Sequence, residues 1–450
     1  MTDRPEGMES VSVPEAARQT EEIRARWSWV EPTVWTERML TALKNGVKGG
    51  VWYSLIDKVY AKANLEAAFR RVEANRGSPG VDRVTTRQFA KHSESEIAKL
   101  HTSLKDGSYC PQAIRRVYIP KPGSVEKRPL GIPTVRDRTV QGALRNVIEP
   151  IFEREFAQHS YGFRPGRGCK DALREVDRLL KEGYVYVVDA DLRRYFDTIP
   201  HDRLVERVKE RIADGQVLRL IESFLKQGVL DGLESWTSEE GTPQGAVVSP
   251  LLANVYLNPL DHEMTRRGHR MIRYADDLVI LCRSQHEAEE ALQELRRWTE
   301  QAGLQLHPEK TRIVDMGQEG AGIEFLGYRF LRTRRRLTRV PRKKSLTKFK
   351  DAIRQRTRRC NGESLACIIA AVNGVTRGWF EYFKHSYRGT FRPLDGWVRM
   401  RLRRILRKRS GKHPEERRVD HWRWPNAFFA ARGLFSMTEA HAALCQSVQR

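Results

Sequence analysis

The sequence predicts an α+β protein in which an antiparallel, ferredoxin-like layer with helices on one face is followed by a basic, helical region. Three observations carry this expectation. Between about residues 115 and 330, short β-branched and aromatic runs alternate with amphipathic stretches, the pattern of a split β-α-β layer. Two of those runs end in paired carboxylates. After Phe330 the apolar residues recur at helical spacing while positive charge accumulates.

Taken in order, residues 1–23 form a polar extension without apolar periodicity and are expected to be disordered. From Arg24 a helical pattern is anchored by Trp27, Trp29, Trp35, Met39 and Leu43, and it continues through 54–61 and 64–72, where Asn64 suits an N-cap. N75-R-G-S-P-G80 breaks it. Strands are predicted at 116–120, 184–191, 271–281 and 323–330, the third being two short strands joined by a turn at Ala275 and Asp276. Helices are predicted at 138–156, 170–181, 201–212, 218–227 and 286–301. The run 332–339 reads as a joint to three further helices, at 345–359, 363–385 and 392–409, before a Pro- and Trp-rich tail. Four regions follow: 1–23, 24–330, 331–412 and 413–450.

Composition narrows the function classes. The formal net charge is +24, and residues 331–412 hold 26 Lys and Arg against 4 Asp and Glu. A merely soluble surface mixes both signs, so this asymmetry points to a polyanion, nucleic acid above all. The six cysteines are scattered without a C-x₂-C spacing, which argues against a zinc site or redox pair. No apolar run approaches a membrane span and the N-terminus does not read as a signal peptide, so no membrane partner and a cytoplasmic location are expected.

The chemistry lies in the carboxylates. I272-R-Y-A-D-D-L-V-I-L281 sets Asp276 and Asp277 inside an apolar run, and Y184-V-Y-V-V-D-A-D191 ends in Asp189 and Asp191 on one face of a strand. A carboxylate beside a core strand is costly unless it is paired or metal-bound. If the two strands are neighbours, their ends make an oxygen-only site suited to Mg²⁺ held together with substrate phosphates. Two such ions can stabilise the attacking and leaving oxygens of an in-line phosphoryl transfer.

These residues carry a family likeness. Y274-A-D-D277 preceded by D189-A-D-L-R-R-Y-F-D197 resembles the two metal-binding motifs of a reverse transcriptase, and other blocks follow in family order. Residues 115–133 resemble its fingers motif, S160-Y-G-F-R-P-G-R-G168 the next block, G241-T-P-Q-G-A-V-V-S-P-L-L-A-N254 the nucleotide-pocket motif, and L304-Q-L-H-P-E-K-T311 with E324-F-L-G-Y-R329 the last two of the palm. R377-G-W-F-E-Y-F383 is similar to the maturase or thumb signature of group II intron-encoded proteins. No HNH-type His, Asn and C-x₂-C cluster is seen, so the likeness is to the form without that nuclease, which would borrow a primer.

The resemblance implies a right-hand polymerase fold of fingers, palm and α-helical thumb/maturase (X) domain, and an RNA-directed DNA polymerase that also aids intron splicing. It implies two Mg²⁺ ions, with Asp191 and Asp276 as principal ligands, Asp277 as a weaker third and the carbonyl of Leu192 as a further oxygen. Asp189 is then structural or supporting. Phe196 stands where a steric gate excludes a 2′-hydroxyl, with core packing as its bland alternative. Gln244 would contact the incoming dNTP, and Lys127 and Arg128 would clamp its triphosphate, with Arg115, Arg116 and Lys121 competing. Lys310 is a candidate acid for the leaving group or a plain surface lysine. Trp379, Tyr382 and Phe383 read as a buried stripe, with Arg377, Lys384, Arg399, Arg403 and Arg404 touching RNA. The implied partners are an intron RNA template, target DNA or primer, and dNTPs, with the tail 413–450 on target DNA; protein partners stay open, a homodimer included. A non-catalytic splicing cofactor and a domesticated reverse transcriptase in repair or defence are the competing readings.

Overall fold

The computed structural model describes residue 22 and residues 24–448, apart from 121–126, 233, 238, 335, 359–361 and 412–418. The extension 1–23 thus lies almost wholly outside the described residues, as do Lys121 and the start of the tail at 413.

Three sheets are present among the described residues. The first joins β1 (Ile114–Pro120), β2 (Lys127–Ile132), β4 (Val229–Asp231) and β5 (Glu234–Trp236) in the order β2-β1-β4-β5. Pro129 is tolerated in β2 because that strand is an edge. The central sheet is β6-β7-β3-β8, with β3 Tyr186–Asp191, β6 Arg270–Tyr274, β7 Asp277–Cys282 and β8 Arg312–Asp315, every pair antiparallel. The third orders β9 (Gly322–Phe325), β10 (Tyr328–Arg332) and β11 (Leu337–Pro341) as β11-β10-β9.

Helices cover the central sheet on both faces rather than one. Val188, Ala190 and Ile280 join a core with the helices Ser249–Arg266 and Gln285–Gln301, while Val187, Val279 and Leu281 face Cys169–Lys181, the β9–β10 hairpin and Phe383. The physical reason is legible in L278-V-I-L281, a continuous apolar run that suits a strand buried on two sides.

Other details depart from expectation. The segment 323–330 is two strands, turned by Leu326 and Gly327 at positive φ of 47° and 82°. The supposed joint 332–339 belongs to the β10–β11 hairpin, so residue 330 falls inside a strand. Asn64 is no cap: it is buried, and its Nδ2 donates to the carbonyls of Lys58 and Ala143, pinning Lys62–Ala74 to Val135–Glu153.

The basic helices Lys343–Arg356, Leu365–Phe383 and Phe391–Arg409 share a third core with Phe429 and Met437 from the tail. Trp379 lies 4.8 Å from Phe349 and 4.7 Å from Phe383, and the Tyr382 hydroxyl donates to the Leu326 carbonyl, so this stripe packs as expected. No helix among the described residues is long and apolar enough to cross a membrane.

Candidate active site

The sheet register assembles the carboxylates. Asp191, the last residue of β3, stands opposite Asp277, the first of β7, and Asp189 stands opposite Val279. Pairing of Tyr274 with Asp277 leaves Ala275 and Asp276 as a two-residue hairpin turn. Ala275 takes φ +58°, a position where such turns favour Gly. The chain leaves β3 through two backbone bonds, Arg193 N–H to Gln305 and His307 N–H to the Asp191 carbonyl, which flank Leu192 without using its own carbonyl.

These groups repel one another in a partly dehydrated cleft. Burial first, then the charges of Asp276 and Asp191, push Asp277 up to about 6. Burial also raises Asp189 to about 6 against the opposing pull of Arg312, whose Nε is 3.8 Å away, and it raises Asp276. Lys310 Nζ lies 2.5 Å from Asp191 Oδ2 and meets that charge from the solvent side. The cleft measures about 320 Å³ and is lined by Asp189, Asp191, Asp277, Glu324, Lys310 and Arg342.

A second cavity, about 240 Å³, holds the nucleotide-side candidates Phe196 and Gln244 together with Arg116, Arg194, Asp197 and Thr242. Phe196 is half-buried, its ring 5.5 Å from that of Tyr195, and its carbonyl accepts from Thr242 N–H at 2.6 Å. Gln244 Nε2 donates to Asp197 Oδ1 at 3.4 Å, and the Gln244 carbonyl accepts from Gly131 N–H at 2.7 Å, which ties the loop to β2. Lys127 and Arg128 are exposed on β2, and Arg128 lies near enough to lower both Asp276 and Asp197. Of their competitors, Arg115 donates to the Pro79 carbonyl, whereas Arg116 stacks on Trp236 and faces Asp197.

The donor set suits a hard cation, because it is all carboxylate and the charges raise one another's pKa. Yet among the described residues no three His, Cys, Asp or Glu side chains are arranged to hold an ion. The carboxylates are brought to neighbouring strand ends rather than into a closed cage.

The RNA candidates divide. Arg377 is exposed over the Phe435 ring, Lys384 pairs with Glu381 at 2.5 Å, and Arg399 and Arg404 are half-buried. Arg403 is corrected: it is buried, donates to the Trp424 carbonyl and Asn426 Oδ1, and stacks on Phe429, so its guanidinium holds the tail rather than RNA. Arg342 also faces Asp277, its Nε has no hydrogen-bond partner, and nothing in its local sequence marks it as part of the site. Arg164 of the S160–G168 block is buried against Glu153 and belongs to the fold.

The family described as reverse transcriptase (RNA-dependent DNA polymerase) matches residues 119–330, and the group II intron, maturase-specific domain matches residues 346–424. Protein YkfC of Escherichia coli (strain K12) is 35% identical over 313 residues, covering 60% of this chain and 81% of that protein. Group II intron-encoded protein LtrA of Lactococcus lactis subsp. cremoris is 44% identical over 169 residues, 38% of this chain. A putative COX1/OXI3 intron 1 protein of Saccharomyces cerevisiae is 25% identical over 404 residues, 76% of this chain and 47% of that protein. The chain spans 28% of the length of LtrA.

Proposed function

The chain belongs to the family of group II intron-encoded reverse transcriptases with a maturase-specific domain, and from that membership we propose that it is an RNA-directed DNA polymerase that also assists intron splicing. One observation carries the polymerase reading: Asp191 opposite Asp277, with Asp276 on the adjoining turn, at the open end of the sheet. Pure RNA binding has no use for carboxylates that repel phosphate.

Asp191, Asp276 and Asp277, with the Leu192 carbonyl, are the oxygens that would hold two Mg²⁺ ions. Bound there, the ions would lower the charge on the triphosphate and activate the primer's 3′-hydroxyl. The protein's own part is positioning. Arg128, with Lys127 beside it, supplies charge-assisted donors to phosphate oxygens, and Gln244, braced by Asp197 and by β2, presents its face to the nucleotide. The Phe196 ring closes the sugar side and leaves no room for a 2′-hydroxyl. Lys310 holds the charge of Asp191 and stands within reach of the reacting centre as a proton donor. The basic helices grip intron RNA, and the tail beyond residue 412 meets target DNA.

The experiment is primer extension on an RNA template with dNTPs and Mg²⁺. The intact chain is expected to extend the primer and Asp276→Ala to abolish extension by a factor of at least about 10³, the scale of losing charge stabilisation at a reacting centre. A folded intact chain that extends nothing refutes the polymerase reading. Folded Asp276→Ala is expected to keep promoting splicing, and its failure to do so would mean that both activities share one site.

A further inference from the structure

Behind the carboxylate turn lies a fully buried guanidinium, Arg273, with all five of its N–H groups in use. Nε and Nη2 donate to the two oxygens of Asp261 at 2.8 and 2.5 Å. Nη2 also donates to Ser160 Oγ at 2.8 Å, and Nη1 donates to Asn254 Oδ1 and to the Ala275 carbonyl, both at 2.9 Å. Asp261, Asn254 and Ser160 are themselves buried. Asn254 closes the ring by donating from Nδ2 to the Gly162 carbonyl at 2.7 Å.

Two facts direct this network at the turn rather than at the core in general. The Ala275 carbonyl belongs to the peptide that carries the Asp276 N–H, so fixing that oxygen fixes the plane from which the Asp276 carboxylate departs. Ala275 also holds a left-handed φ of +58°, which an L-residue keeps only when its surroundings impose it. Gly162 packs against the preceding peptide, since a Cβ there would stand 2.3 Å from Ala275 N and 2.9 Å from the Tyr274 carbonyl carbon, so the turn is confined on both of its peptides.

We propose that Arg273, seated on Asp261 and Asn254, is a positioning residue that holds the Ala275–Asp276 turn in its strained conformation and thereby aims Asp276 at Asp191. The inference rests on the polymerase reading. It concerns a residue that touches neither substrate nor ion, and it assigns a role to the arginine preceding Y274-A-D-D277 that core packing alone does not.

Steady-state extension, hydrogen exchange and thermal unfolding test it together. Arg273→Lys, with three donors in place of five, is expected to lower kcat by roughly 10- to 100-fold with the dNTP KM within about threefold, as small misplacements of a reacting group do. The turn amides of residues 275–277 exchange faster in that variant. Ala275→Gly in the Arg273→Lys background is expected to recover kcat by about fivefold or more, because glycine adopts positive φ without strain. A merely structural arginine would show no such rescue. Should Arg273→Lys fail to fold, Arg273→Met with Asp261→Leu removes both buried charges together, which cores tolerate, and kcat is still expected to fall. Wild-type kcat in a folded double variant, or absence of rescue by Ala275→Gly, overturns the inference. An inactive wild type instead overturns the polymerase reading, and turn exchange in Arg273→Lys then tests the clamp by itself.

Discussion

Asp277 and Asp189 hold their protons up to about pH 6, against 3.8 for an ordinary aspartate. Because the folded chain binds these protons more tightly than the unfolded one, the stability they contribute is greatest below about pH 4 and declines as pH rises towards 6. At neutral pH the ionised cluster is therefore a strain on the fold. Asp277→Asn is expected to raise Tm at pH 8 by roughly 1–2 °C, on the order of 1 kcal/mol once solvent in the cleft is discounted, and to leave it nearly unchanged at about pH 3, below the unfolded pKa. An equal shift at both pH values would contradict the repulsion. Mg²⁺ should raise Tm of the intact chain and not that of Asp276→Ala. At the neighbouring cavity, Phe196→Ala is expected to increase ribonucleotide incorporation relative to deoxyribonucleotide by about tenfold or more, as removing the ring opens space for the 2′-hydroxyl. Unchanged discrimination would return Phe196 to plain packing.

At the scale of elements, the basic helices and the tail are held together by arginines that look alike in sequence. Arg403 and Arg407 face inward, Arg407 pairing with Asp420 at 2.6 Å, while Arg377 lies on the surface. Arg403→Ala is expected to destabilise the chain by about 2 kcal/mol, because it removes a buried guanidinium with its charge-assisted bonds to the Trp424 carbonyl and Asn426 Oδ1, with little change in RNA affinity. Arg377→Ala is expected to do the reverse, weakening RNA binding and reducing the salt slope by about one. Filter binding and thermal melts on both variants separate the two roles. The sheet elements show how far local pattern reaches. The β6–β7 hairpin was legible because β-branched runs flank an Ala-Asp turn, and so were the helices 169–181 and 285–301 with their amphipathic stripes. The helix Ser249–Arg266 was not, since Pro259 lies inside it and burial on nearly every side leaves no polar face to reveal a period. Strands β4, β5 and β8 are three or four residues long, too short for alternation to register.

For the whole molecule, net charge of +24 and its concentration after residue 330 govern encounter with nucleic acid. RNA binding is expected to weaken steeply with salt, log K against log[salt] having a slope of roughly −4 or steeper, which corresponds to about six or more neutralised phosphates on single strands. A flat response would remove the basic helices from the interface. The fold concentrates function where three sheets and the helical region come together: Arg128 approaches from β2, the carboxylates from β3 and β7, and Arg342 from the end of β11.

The strand-end carboxylates, the order of the family motifs and the charged helical region are legible before folding, because each depends on residue type and spacing along one stretch of chain. Which arginines face solvent, the pairing of Asp191 with Asp277, and the bond from Arg273 to the carbonyl behind Asp276 emerge only in the packed fold. The reason is distance in sequence: a guanidinium's role is set by the acceptors that surround it, and for Arg273 these come from Ser160, Asn254 and Asp261, on segments that meet only when the sheet and its helices have packed.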